Sequence, residues 1–172
     1  RLDVSRLAIA GDSVGGNMAI AAALTAKEEG TPEIRFQLLI YPVTDAAMAT
    51  KSYRDFENGP WLTKKAMAWF WNMYAPRKSD RASIFASPLN ASAEQLKGLP
   101  PALVITAEND VLRDEGEAFA RKLNDAGVPV TSVRFNGAIH DFMMLNPIAD
   151  SAAARDAVLL SIAKLRDVFK IG

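Results

Sequence analysis

A serine stands between two glycines in Gly11-Asp12-Ser13-Val14-Gly15, directly after the apolar run Leu7-Ala8-Ile9-Ala10. This is the G-x-S-x-G spacing of a nucleophile elbow. In such a strand-turn-helix the chain reverses so sharply that a Cβ two residues to either side of the serine is expected to clash, a cost that glycine removes. The Ser13 hydroxyl is then held out at the end of a strand. The backbone beside it begins a helix, where unpaired N–H groups and the positive end of the helix dipole stabilise a developing negative charge. The N–H of Val14 is the candidate donor to that oxyanion. A serine hydroxyl is a weak nucleophile at neutral pH and needs a neutral imidazole to take its proton. His140 is the one histidine of the chain. With an unperturbed pKa of about 6.5 it is largely neutral at pH 7. A lone histidine is more often a structural hydrogen-bonder, so its role turns on a carboxylate that could fix its tautomer. Asp110 follows a second apolar run, but Glu108, Asp114 and Glu115 are close competitors. Asp114 and Glu115 open a predicted helix whose dipole accounts for them. Glu108 remains an alternative to Asp110. Asp12 and Asn17, beside the nucleophile, read as structural hydrogen-bonding residues.

Four predicted strands carry these groups, at residues 6–10, 36–41, 102–107 and 131–135. Helices are expected over Val14–Glu29, closed by Gly30 and Pro32, over residues 114–126, closed by Gly127 and Pro129, and over residues 151–169. The 36–41 run is almost continuously apolar, as in a covered parallel strand, and stops at Pro42. Residues 18–24 of the first helix are apolar on every side, which predicts burial on both faces. Strands alternating with helices imply right-handed crossovers and a parallel α/β sheet, with functional residues at the carboxyl ends of the strands. Ser13, Asp110 and His140 all fall there. The alternation is interrupted by an insert at residues 43–98, containing the turn Glu57-Asn58-Gly59-Pro60, a helix over Lys64–Tyr74 and a capping box at Ser92-Ala93-Glu94-Gln95. On the Lys64–Tyr74 helix, Met67, Phe70, Trp71 and Tyr74 form one stripe, and Trp69 and Met73 another. Such stripes usually belong to a core. The sharper expectation is that Trp69 or Trp71 lines a substrate pocket.

The 172 residues, 49% of them hydrophobic, suffice for one substantial core, and nothing divides them into two domains. Twenty basic and twenty acidic residues cancel without a run of like charge, so no field for nucleic acid or an anionic membrane is built. Without cysteine, and with a single histidine, neither a thiolate nor a histidine-cluster metal site can form. The absence of cysteine fits a reducing, cytoplasmic setting. No apolar stretch is long enough to span a bilayer, and Arg1-Leu2-Asp3 has neither a starting methionine nor a signal-peptide profile.

The pieces Gly11-Asp12-Ser13-Val14-Gly15-Gly16-Asn17, Asp110-Val111-Leu112-Arg113-Asp114-Glu115-Gly116 and Ile139-His140-Asp141-Phe142 occur in the order serine, acid, histidine. Together they resemble the hormone-sensitive-lipase-like (bacterial family IV) esterases of the α/β-hydrolase superfamily. The resemblance covers nearly the whole chain. It implies an α/β-hydrolase fold, here partial, with four parallel strands, flanking helices and a lid-type insert at 43–98. It also implies that Ser13, Asp110 and His140 form a catalytic triad, Asp110 rather than Glu108 being the acid, with no cofactor. The activity implied is hydrolysis of small, fairly apolar carboxylic esters through an acyl-enzyme. A non-catalytic binding module on the same fold, or an amidase or peptidase using the same triad, are the alternatives. Residues 1–172 are expected to form the C-terminal part of one domain, because the family's H-G-G-G oxyanion loop does not occur in them. This portion alone is accordingly expected to be nearly inactive, and relatives often form homodimers through the last strand and its helix. Two departures stand out. Val14 replaces the family's usual alanine, which narrows the space beside the oxyanion donor. Asp141 replaces a glycine after the histidine, which is expected to raise the imidazole pKa.

Overall fold

The four apolar runs pair into one parallel sheet in the order β1-β2-β3-β4: β1 (Ala8–Asp12), β2 (Phe36–Ile40), β3 (Ala102–Asn109) and β4 (Val130–Ile139). The computed structural model describes residue 3 and residues 5–171; the start Arg1-Leu2 lies outside the described residues. Alternation along the strands sends side chains to two different layers. Leu39 and Val104 pack against α1 (Val14–Glu29) and α6 (Arg113–Asp125), while Leu38, Ile40, Leu103 and Ile105 meet α7 (Ala152–Phe169) on the opposite face. A sheet covered by helices on both sides accounts for the continuous burial of β2. The one polar residue within it, Gln37, is fully buried and donates through Nε2 to the Pro100 carbonyl at 2.9 Å.

Expected and observed elements agree to within a residue or two at their ends, except that β4 runs four residues beyond its expected end at residue 135, to Ile139. α1 stops at Gly30, whose φ of 70° gives the left-handed cap, and Ser151 caps α7 by accepting from the Ala154 N–H. Burial of α1 on both faces is not what the structure has. Ala19, Ile20, Ala23 and Leu24 are buried, but Val14, Met18, Ala22 and Thr25 form an open stripe, with Met18 51% exposed. Small apolar residues all around the helix erase the contrast by which its outer face could have been recognised.

The insert folds into short helices, α2 (Lys51–Asp55), α3 (Lys64–Tyr74), α4 (Lys78–Arg81) and α5 (Ala93–Leu96), of which α2 and α4 carried no clear periodic signal. Ser92 and Gln95 form the expected capping box. Val43, Tyr53, Leu62, Met67 and Trp71 build a separate apolar cluster with Val111 and Leu112, which seats the insert over the carboxyl ends of the strands. No described helix is long and apolar enough to cross a membrane.

The irregular part of the sheet matters most for the site. Ala107 pairs with Phe135, but two residues later Asn109 pairs with Ile139. In uniform register Asn109 would have faced Gly137. The slip adds two residues to β4, and so brings His140 level with Asp110. Gly137 supports it with a φ of 72°, in the left-handed region that glycine enters freely. Glu108 holds the slip in place, its Oε2 accepting the Gly137 N–H at 2.6 Å.

Candidate active site

Ser13 occupies the turn between β1 and α1 with φ 51° and ψ −119°, an uncommon conformation for a residue with a side chain. Backbone bonds over-determine it: its N–H donates to the Ile40 carbonyl at 2.9 Å, and its own carbonyl accepts from Val43 at 3.1 Å. The elbow's glycine requirement differs in part from the expectation. A Cβ on Gly11 would lie 2.1 Å from the Gly15 carbonyl oxygen, whereas one on Gly15 would meet only Asp12 Oδ1, at 3.7 Å. The second tight position is Gly16, where a Cβ would come within 2.8 Å of the Pro42 side chain. The helix N-terminus is pressed against the loop after β2 through Gly16, one residue beyond the motif glycine.

The structure brings Ser13, His140 and Asp110 together. Ser13 Oγ lies 3.0 Å from His140 Nε2, and His140 Nδ1 lies 2.7 Å from Asp110 Oδ2. Asp110 and His140 are both almost wholly buried, and the second carboxylate oxygen of Asp110 accepts the Leu112 N–H at 2.9 Å. Both Asp110 oxygens are therefore oriented. The competitors are occupied elsewhere: Glu108 on Gly137, Asp114 on the Ser52 N–H, and Glu115 on the N–H groups of Thr44 and Asp45. Glu115 does open α6 as expected, but it is completely buried, so it ties the start of the insert to α6 instead of simply facing the helix dipole from solvent. Asn17 is structural as expected, its Nδ2 donating to the carbonyls of Val43 and Ala86. Asp12, expected to make a structural hydrogen bond, has no side-chain partner among the described residues and contributes negative charge facing His140.

Burial disfavours the charged imidazole of His140. The Asp110 hydrogen bond and charge, with the charges of Asp141 and Asp12, outweigh it and hold the pKa above the ordinary value of 6.5. Two groups at the ring had no sequence signal. The Tyr41 ring packs on the imidazole at 4.8 Å between centroids, and burial together with the surrounding carboxylates keeps its phenol protonated. Trp61, in the loop between α2 and α3, donates from Nε1 to Asp141 Oδ2 at 2.8 Å, and the other Asp141 oxygen lies 3.2 Å from His140 Nε2.

A cavity of about 740 Å³ opens beside Ser13 and His140. Val14 is at its wall, at the first position of α1, where the backbone N–H has no partner within the helix. α3 supplies the opposite wall with Met67, Phe70, Trp71 and Tyr74, joined by Met73. Trp71 thus reaches the cavity and, being only 3% exposed, serves the core as well. Trp69 does not: it is 58% exposed, outside the cavity, and stacked edge-on against Phe70. It points about 160° around the helix from Trp71, so it belongs neither to the pocket nor to the core.

Comparison with known proteins places this arrangement in a family. Residues 1–144 match the family model described as the α/β-hydrolase fold. The ethyl acetate hydrolase of Pseudomonas putida is 40% identical over 152 residues, covering 88% of this chain and 47% of that protein. The carboxylic ester hydrolase LipN of Mycobacterium tuberculosis is 40% identical over 162 residues, covering 91% of this chain and 42% of that protein. A crystal structure of a thermostable esterase from Pseudomonas putida superposes with a TM-score of 0.92 at 60% identity, covering 94% of this chain and 50% of that one. The chain spans about half the length of the curated relatives it matches. It belongs to the α/β-hydrolase fold family, within the hormone-sensitive-lipase-like (family IV) branch.

Proposed function

We propose that the protein hydrolyses small, fairly apolar carboxylic esters by serine catalysis, with Ser13 as nucleophile, His140 as general base and acid, and Asp110 as the group that orients and stabilises the imidazolium. The observation that carries this reading is the unbroken chain of contacts from Ser13 Oγ to His140 Nε2 at 3.0 Å and from Nδ1 to Asp110 at 2.7 Å, set at the wall of an apolar cavity. The ester names of the relatives support the substrate class.

In the reaction proposed, Ser13 Oγ attacks the ester carbonyl while His140 Nε2 takes the hydroxyl proton. The carbonyl oxygen becomes an oxyanion, to which the Val14 N–H donates. Collapse of the tetrahedral intermediate breaks the bond to the alcohol, and Nε2 returns the proton to the departing alkoxide. Water then enters and its oxygen bonds to the acyl carbon as Nε2 takes one of its protons; the bond to Ser13 Oγ breaks, Nε2 returns that proton to Oγ, and the acid is released. The insert, with α3 forming one wall, acts as pocket and partial lid. Removing one oxyanion donor costs on the order of 10²- to 10³-fold. With Val14 as the N–H donor beside Ser13 in these residues, turnover by the chain on its own is proposed to be slow, which makes covalent labelling the sharper test.

An alkyl p-nitrophenyl phosphonate should add its phosphonyl group to Ser13 with loss of p-nitrophenolate, read as a mass increase on the peptide that contains residue 13. Ser13→Ala should abolish it, and should lower hydrolysis of p-nitrophenyl acetate by roughly 10⁴-fold or more where turnover is measurable. A matched anilide, turned over more slowly than the ester, separates esterase from amidase. Absence of labelling in the folded protein would leave a binding module on this fold as the better account.

A further inference from the structure

Beside the Ser13, His140 and Asp110 contacts, His140 Nε2 has a second neighbour. Asp141 Oδ1 lies 3.2 Å from it, on the atom that also faces Ser13 Oγ. Asp141 is held there from the insert by the Trp61 indole, whose N–H donates to Oδ2 at 2.8 Å. Both residues sit in the left-handed region, Trp61 at φ 66° and Asp141 at φ 63°. For tryptophan that conformation is rare. It persists where surrounding contacts fix it, and such residues gather at functional sites; Ser13 and Tyr41, which also meet the His140 ring, have positive φ as well, whereas Asp110 does not. Trp61 and Asp141 both line the cavity.

We propose that Asp141, clamped by the Trp61 indole, is a positioning residue for His140, which holds the protonated imidazole against Ser13 and competes with the departing alkoxide for the Nε2 proton. This role deepens the reading of His140 as the base and rests on it. When Nδ1–H is given to Asp110, neutral Nε2 offers only a lone pair, which a carboxylate at 3.2 Å repels; once protonated, Nε2–H can donate to Asp141 Oδ1. The imidazolium is therefore favoured both before attack and at the tetrahedral stage. The groups facing the ring are Asp110 after β3, Asp141 after β4, Asp12 at the end of β1 and the neutral Tyr41 after β2. Asp141 is the one among them tied to the insert, so the wall of the pocket reaches the base through a single hydrogen bond.

The test uses the chain's single histidine, which gives one imidazole signal in ¹³C- and ¹⁵N-histidine spectra. In Asp141→Asn the His140 titration midpoint should fall, because a negative charge beside the imidazolium is lost while asparagine still tolerates the left-handed backbone. In Trp61→Phe, which keeps an aromatic ring but no N–H, it should fall by less. The acid limb of the pH profile for phosphonate labelling of Ser13 should move down with it, each unit being read as roughly tenfold in labelling rate at fixed pH. A midpoint unchanged in Asp141→Asn overturns the positioning role, and one unchanged or raised in Trp61→Phe overturns the indole's part in it. If the midpoint falls and the labelling limb stays, the Asp141 contact stands and the assignment of His140 as base fails.

Discussion

The carboxyl ends of the strands and the insert that covers them reach the same cavity by different means. On the sheet side, Ser13, Asp110 and His140 hang from strand termini whose positions are set by backbone ladders, a register slip and close contacts between main chains. On the insert side, Trp61, Phe70, Trp71 and Tyr74 hang from a loop and one three-turn helix, seated by a side-chain cluster of their own. The sheet side places the reacting atoms through main-chain contacts that tolerate little change. The insert fixes a shape, and its residues divide sharply by which way they point.

That division is clearest within α3. Trp71 is packed with Met67, Leu62 and Val43 and also lines the cavity, while Trp69 faces solvent two residues away. Trp71→Ala should destabilise the protein by about 3–5 kcal/mol and change the preference between short and longer acyl chains. Trp69→Ala should stay within about 0.5 kcal/mol and leave that preference alone. Urea denaturation and rates on p-nitrophenyl acetate and octanoate measure both. Comparable losses at the two positions would mean that α3 is not the sharply two-sided wall described.

The sheet side offers a matched contrast in backbone instead of side chains. Gly11→Ala forces a Cβ against the Gly15 carbonyl oxygen, 2.1 Å away, where neither partner is a flexible side chain. A loss of roughly 2–4 kcal/mol is expected, with loss of Ser13 labelling as the elbow opens. Gly15→Ala, whose Cβ would meet only Asp12 Oδ1 at an ordinary contact distance of 3.7 Å and whose backbone is helical, should be neutral or stabilising by up to about 1 kcal/mol. Equal penalties at the two glycines would show that the elbow needs glycine for backbone freedom and not for close approach.

These contrasts mark how far the sequence could be read. Strand ends and the G-x-S-x-G turn are local patterns, so the parallel sheet and the places of Ser13, Asp110 and His140 along the chain were legible. The slip that brings His140 level with Asp110 was not, because it depends on Glu108 meeting Gly137 across two strands. Helical spacing identified the stripes of α3 without saying which faces the cavity, since that is decided by the packing of Leu62, Val43 and Val111 around it. Trp61 stood in an unpatterned loop, and its bond to Asp141 spans 80 positions. The close approach expected at Gly15 falls at Gly16 instead, because the close neighbour is Pro42, in another element.

Where the two regions join, Glu115 gives the smallest and most specific test. Its carboxyl belongs to α6, is completely buried, and accepts the N–H groups of Thr44 at 2.6 Å and Asp45 at 3.1 Å, where the insert begins. Burial raises its pKa well above the usual carboxylate value; the two N–H bonds oppose this, and the charges of Asp45 and Asp110 add to the rise. The folded chain therefore keeps a proton that the unfolded chain releases at about pH 4.3. The resulting stability is fully present below that unfolded pKa and is lost as pH rises through the folded pKa. Glu115→Gln keeps an acceptor for both N–H groups and cannot ionise. Its stability should decline less than that of the unaltered protein as pH is raised from 5 to 8, measured by urea denaturation at both values. An identical decline would mean that the joint accommodates a charged carboxylate, so that the insert is tied to the sheet by an ion held on backbone N–H groups instead of by a neutral acid.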